Sequence, residues 1–115
     1  MTDFERTSGV FYEIRRYQAR PGLRDEWVAY MESVVLPFQE SLGMDVTASF
    51  VDEEDPDGYV WIRRFTGEAN REELYAKVYE HPRWIDEIRV EVARLIDLDR
   101  ITVTRAIPTS ASGLS

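Results

Sequence analysis

Gly58-Tyr59-Val60-Trp61-Ile62-Arg63-Arg64-Phe65 is the stretch whose reading decides the fold. Read as a β-strand, it sends alternate side chains to opposite faces. Val60, Ile62 and Arg64 share one face; Tyr59, Trp61, Arg63 and Phe65 share the other. The aliphatic face suits packing on helices. The aromatic face, with an arginine in its middle, suits the wall of a sheltered cleft.

Just before it, Glu53-Glu54-Asp55-Pro56-Asp57-Gly58 reads as a charged turn that closes a hairpin onto a preceding strand, Met44–Asp52. The acids lack the alternating ligand pattern of a calcium loop, so a solvated turn and no metal site are expected. Further out, Phe11–Ala19 and Arg100–Ile107 alternate as strands. Between Pro21-Gly22 and Gly43, apolar residues at Trp27, Met31, Val34, Val35, Phe38 and Leu42 step by three or four, which predicts an amphipathic helix. Pro37 predicts a kink or break within it, and Gly43 a left-handed cap at its end. Asn70 with Glu73 resembles a capping pair ahead of Leu74 and Val78, with Tyr75 and Tyr79 alongside. His81-Pro82 interrupts, and a helix restarts there with Trp84, Ile85, Ile88, Val92, Leu95 and Ile96 as its apolar stripe.

The order strand, helix, strand, strand, helix, strand is the split βαβ arrangement. An α+β, ferredoxin-like βαββαβ fold follows, with a four-stranded antiparallel sheet and both helical segments on one face. Residues 1–9 are expected as a flexible lead-in, 10–107 as the domain and 108–115 as a flexible tail. Tyr12, Ile14, Val46, Ala48, Phe50, Val60, Ile62, Ile101 and Val103 are expected to face the helices. The other side would then show Glu13, Arg15, Tyr17, Thr47, Ser49, Tyr59, Trp61, Arg63, Phe65, Thr102 and Thr104. A patch holding Tyr17, Trp61 and Phe65 is more apolar surface than a monomer comfortably exposes, so a second copy of the sheet is expected to cover it.

Composition bounds the function. At 115 residues the chain is one domain. A net charge of −8 argues against nucleic acid as a partner, because phosphates demand clustered positive charge. There is no cysteine, which excludes disulfides and thiolate chemistry. No run has the length of a membrane span, and the first ten residues lack the apolar core of a signal peptide, so a cytoplasmic protein without a membrane partner is expected. Of the 14 basic residues only Lys77 is a lysine, which fits a GC-rich coding bias or arginines held in fixed geometry.

Tyr12-Glu13-Ile14-Arg15-Arg16-Tyr17 followed by Pro21-Gly22 resembles the opening signature of NIPSNAP-domain proteins. The similarity continues through Pro37 and Gly43, Trp61-Ile62-Arg63-Arg64-Phe65 and His81-Pro82-Arg83-Trp84, covering roughly residues 11–107. The resemblance implies a dimeric α+β barrel. That superfamily spans cofactor-free oxygenases, haem-degrading enzymes, isomerases, cyclases and proteins of unknown activity, so it implies the fold more closely than the chemistry.

Glu13, Arg15 and Arg63 on the cleft face offer two arginines to one glutamate. Either Glu13 simply neutralises its neighbours, or the surplus positive charge holds a carboxylate, enolate or phenolate. Tyr17, Thr47, Ser49, Tyr59, Trp61, Phe65 and Thr104 would line the site and suit a small aromatic, partly anionic molecule. His81, the only histidine, is a candidate base if it reaches the cleft and a capping or surface residue if it does not. Its histidine–proline setting follows the NIPSNAP pattern, not that of haem-degrading relatives, so no cofactor is expected and haem is the alternative. The expected function is that of a homodimeric, cofactor-independent enzyme of specialised metabolism. It would oxygenate, cyclise or isomerise a small aromatic or polyketide-like compound, with Glu13 or His81 as base and Arg15 and Arg63 as anion holders. The alternatives are a non-catalytic binding protein and a purely structural dimer.

Overall fold

In the computed structural model, which describes residues 9–114, four strands form one antiparallel sheet. They are β1 (Phe11–Gln18), β2 (Asp45–Val51), β3 (Gly58–Phe65) and β4 (Thr102–Ala106), in the order β2-β3-β1-β4. Of the lead-in expected over residues 1–9, residues 1–8 lie outside the described residues. Between β1 and β2 run α1 (Arg24–Tyr30), a π-helical turn (Met31–Val35) and α2 (Leu36–Ser41). Between β3 and β4 run α3 (Glu68–Tyr79), a second π-helical turn (Trp84–Ile88) and α4 (Arg89–Leu95). This is the α+β, ferredoxin-like order that the sequence predicts.

Local chemistry explains the helix boundaries. Pro37 sits in the first turn of α2, where a missing N–H costs least. The expected kink takes the form of the wide π-turn just before it, which lets the helix continue. Gly43, at φ +104°, follows the end of α2. Its N–H donates to the Glu40 carbonyl at 3.0 Å, and the Met44 N–H donates to the Gln39 carbonyl at 3.0 Å. This is a Schellman cap, as the glycine predicts. The Asn70–Glu73 capping pair is a correction: α3 begins earlier, after Gly67, and Asn70 reaches back from its first turn to accept the Thr66 N–H at 3.0 Å. In the acidic turn, Asp52 accepts the N–H groups of Glu54 and Asp55, and Arg24 donates to the carbonyls of Asp52, Asp55 and Gly58.

In β1 and β3 the two faces are the reverse of the sequence expectation, whereas Val103, opposite Arg15, and Ile101, packed against the core, keep the helix side expected of them. Tyr59, Trp61, Arg63 and Phe65 are all buried beneath the helices, together with Phe11, Glu13 and Tyr17 of β1. The face away from the helices carries Tyr12, Ile14, Val60, Ile62, Ala48 and Phe50, the last 54% exposed. The reason is area. Each aromatic side chain removes roughly 150–250 Å² from water, more than a valine or isoleucine can, so the aromatic side becomes the core. Arg63 is carried inside with it because acceptors there satisfy most of its donors.

Strand β2 adds a further correction. A bulge between Val46 and Ala48 makes Thr47 the extra residue, placing Val46 opposite Arg63 and Phe50 opposite Val60. Val46 and Phe50 therefore lie on opposite faces, although their spacing predicts one. Beyond β4, the segment expected as a tail runs over the outer face. Pro108, Ala111 and Leu114 join Tyr12, Ile14 and Ile62 around a largely apolar cavity of about 400 Å³. No helix of the described residues is long and apolar enough to cross a membrane.

Candidate functional site

Antiparallel pairing of β1 with β3 sets Glu13 opposite Arg63 and Arg15 opposite Trp61. All four side chains point at the helical layer. α3 supplies Tyr75 and Tyr79, four residues apart and so on one helix face, and α2 supplies Gln39. Glu13 is the hub. Its Oε1 accepts from Arg63 Nη2 at 2.8 Å and Arg15 Nη1 at 3.3 Å, and its Oε2 accepts from the Tyr75 hydroxyl at 2.6 Å.

Arg63 has no exposed surface. Its Nη1 donates to Gln39 Oε1 at 3.0 Å and to the Tyr79 hydroxyl at 2.8 Å, and its Nη2 also donates to the Tyr75 hydroxyl at 3.0 Å. The guanidinium carbon lies 4.8 Å from the Trp61 ring centre and within cation–π range of Phe65, Tyr75 and Tyr79. Arg15 closes the cluster on its solvent side. Its Nε donates to the Tyr17 hydroxyl at 3.1 Å and its Nη1 reaches the Tyr75 hydroxyl at 3.4 Å. Its side chain keeps 14% of its surface, and its cross-strand partner Val103 is 44% exposed. The cover over the cluster therefore thins toward β4.

The electrostatics follow from this packing. Burial alone would push the Glu13 carboxyl up, but the Tyr75 hydrogen bond and the Arg63 and Arg15 guanidiniums outweigh it and hold it below the ordinary carboxylate value. Burial pushes the Tyr75 phenol up, opposed by Arg63 and reinforced by Glu13, so Tyr75 stays a neutral donor. The cluster thus holds two positive charges against one negative. Donors also exceed acceptors: among the described residues, Arg63 Nε and Trp61 Nε1 are buried without a partner. Trp61 lies within cation–π range of both arginines.

Of the residues singled out from sequence, the fold brings together Glu13, Arg15, Tyr17, Trp61, Arg63 and Phe65. Tyr59 and Ser49 form a separate pair, 2.5 Å between hydroxyls, beside Trp27. Thr47 is the bulge residue of β2. Thr104 is opposite Ile14 on the outer face, away from the cluster. His81 also lies elsewhere. Its Nδ1 accepts the Arg83 N–H at 3.0 Å, its ring meets Phe38 edge-on, and it borders a surface cleft with Pro82, Asp86 and Glu87. This is the capping role, and it removes His81 from the candidate bases. Sequence reasoning missed Gln39, Tyr75 and Tyr79 as members of the site. The i, i+4 tyrosines and the lone amide beside Phe38 on an apolar stripe were the available signals.

The NIPSNAP family model matches residues 12–112. Among solved structures, a NIPSNAP family protein of unknown function from Agrobacterium tumefaciens str. C58 is similar at 26% identity and a TM-score of 0.83, covering 95% of this chain and 96% of that one. An uncharacterized NIPSNAP-like domain protein from Burkholderia xenovorans has the same fold at 20% identity and a TM-score of 0.82, covering 91% and 90%. None of the curated proteins matches.

Proposed function

The chain belongs to the NIPSNAP family, and from that premise we propose that it holds a small, planar, partly anionic molecule at the Arg15 side of the Glu13–Arg63 cluster. The observation that carries this reading is the imbalance of the cluster. Two guanidiniums share one carboxylate, and the N–H groups left over call for an acceptor that the protein does not supply. A carboxylate, enolate or phenolate supplies that acceptor, and the rings of Tyr17 and Trp61 flank it.

Chemistry there is acid–base chemistry without a cofactor. Arg15 and Arg63 stabilise an enolate as it forms, and the hydroxyls of Tyr17 and of Tyr75, the latter bonded to Glu13, are the proton-carrying groups beside Arg15. Oxygenation, cyclisation and isomerisation share that enolate. One observation favours a second reading, a binding protein without turnover: both Glu13 oxygens are engaged and its carboxyl is a weakened base. The outer sheet face, with Ile14, Ile62, Val60 and Phe50, is the surface through which we propose a second copy to pair.

An NMR titration with benzoate and salicylate tests the binding site. The Trp61 indole and arginine N–H signals are expected to shift, and Arg15→Met to abolish the shift while melting as a folded protein. Binding unchanged in Arg15→Met would sink the anion site. Incubation with a panel of small phenols and β-dicarbonyl compounds, followed by mass spectrometry, separates turnover from binding.

A further inference from the structure

Three charged residues, Glu13, Arg15 and Arg63, set the charge of the cluster, and a fourth position decides its sum. Gln39 is 1% exposed, and its Oε1 meets Arg63 Nη1 at 3.0 Å from the helical layer. Its backbone is fixed as firmly as its side chain, because its carbonyl accepts the Met44 and Leu42 N–H groups in the cap that ends α2. Its helical neighbours Val35 and Phe38 are buried and apolar. An acceptor for Arg63 at this spot need not be an amide. A glutamate has the same length, and a carboxylate makes the stronger, charge-assisted bond to a guanidinium. The difference is charge: glutamate would bring the cluster to two positive and two negative groups, whereas glutamine leaves one positive charge uncompensated.

We propose that Gln39 is the specificity-determining residue of this site: by satisfying Arg63 without neutralising it, it selects a monoanionic aromatic ligand over its neutral isostere. The proposal rests on the anion-binding reading above. Gln39 touches Arg63, so it acts on the ligand through the charge of the pair. A carboxylate in its place would both cancel the attraction and draw Arg63 toward the helical layer.

Benzoate and benzamide, planar isosteres that differ in charge, are the probes, titrated into wild type, Gln39→Glu and Gln39→Met with the Trp61 indole signal as readout. Wild type is expected to prefer benzoate. Gln39→Glu is expected to fold and to lose that preference by about ten-fold or more. Gln39→Met, which removes the hydrogen bond but adds no charge, is expected to keep it within about three-fold. Three results overturn the proposal: Gln39→Glu keeps the preference; Gln39→Met loses it as fully as Gln39→Glu; or Gln39→Glu fails to fold, which would make the amide a requirement of stability. Wild type that binds neither probe defeats the anion site itself, a result distinct from the other three.

Discussion

Arg63 shows how a charge can belong to a core. Its terminal nitrogens are met by Glu13, Gln39, Tyr75 and Tyr79, and aromatic rings surround it. Truncating it leaves Glu13 buried with the Tyr75 hydrogen bond and, of its two guanidiniums, only the more distant Arg15. Arg63→Met is therefore expected to cost about 3–5 kcal/mol in urea unfolding, the range for a buried pair that loses one partner. The pH dependence follows from the same residues. The Glu13 carboxyl is held below its ordinary value of 4.5, so its contribution is present above that pH and is lost as pH falls through the lower, folded-state value. Glu13→Gln is expected to flatten that acid limb in melts from pH 6 downward. At the other extreme, burial pushes the Tyr59 hydroxyl from 10.0 up to about 12, against the Ser49 hydrogen bond. The folded state keeps that proton longer than the unfolded one, so stability is full below pH 10 and falls between 10 and about 12. Tyr59→Phe should remove part of that slope, with Tyr75 supplying another part.

At the scale of the element, the cap on α2 joins local sequence to the site. Gly43 adopts φ +104°, and a Cβ there would stand 3.3 Å from a Leu74 methyl carbon. Gly43→Ala is expected to cost about 1–3 kcal/mol through backbone strain and to lower the melting temperature by several degrees. Because the same cap fixes the Gln39 carbonyl, the variant should also broaden the Trp61 indole signal. The helices and their interruptions were legible in the sequence: Pro37, Gly43 and Pro82 each act within a turn of their own position. The bulge at Thr47 was not. A bulge is fixed by how two strands meet, and β2 alone carries no mark of which residue is the extra one.

For the molecule as a whole, the outer face is where the proposed pairing is tested. Ile14 and Ile62 sit opposite each other there, with Val60 and Phe50 nearby. If a second copy pairs through this face, light scattering at micromolar concentration gives twice the mass of the 13.5 kDa chain, and Ile62→Asp gives a monomer that remains folded. A monomeric wild type would refute the pairing. The sequence by itself determined the order of elements, the fold class and, outside the bulged β2, which residues share a strand face, because period-two and period-3.6 spacing are properties of the local chain. It also put Glu13, Arg15 and Arg63 on one side of the sheet. Which side the helices cover was decided only in the tertiary structure. Alternation names two faces without ranking them, and the ranking depends on summed burial across β1 and β3 and on acceptors brought from α2 and α3. Gln39, Tyr75 and Tyr79 make an interior of what the sequence alone presents as a cleft.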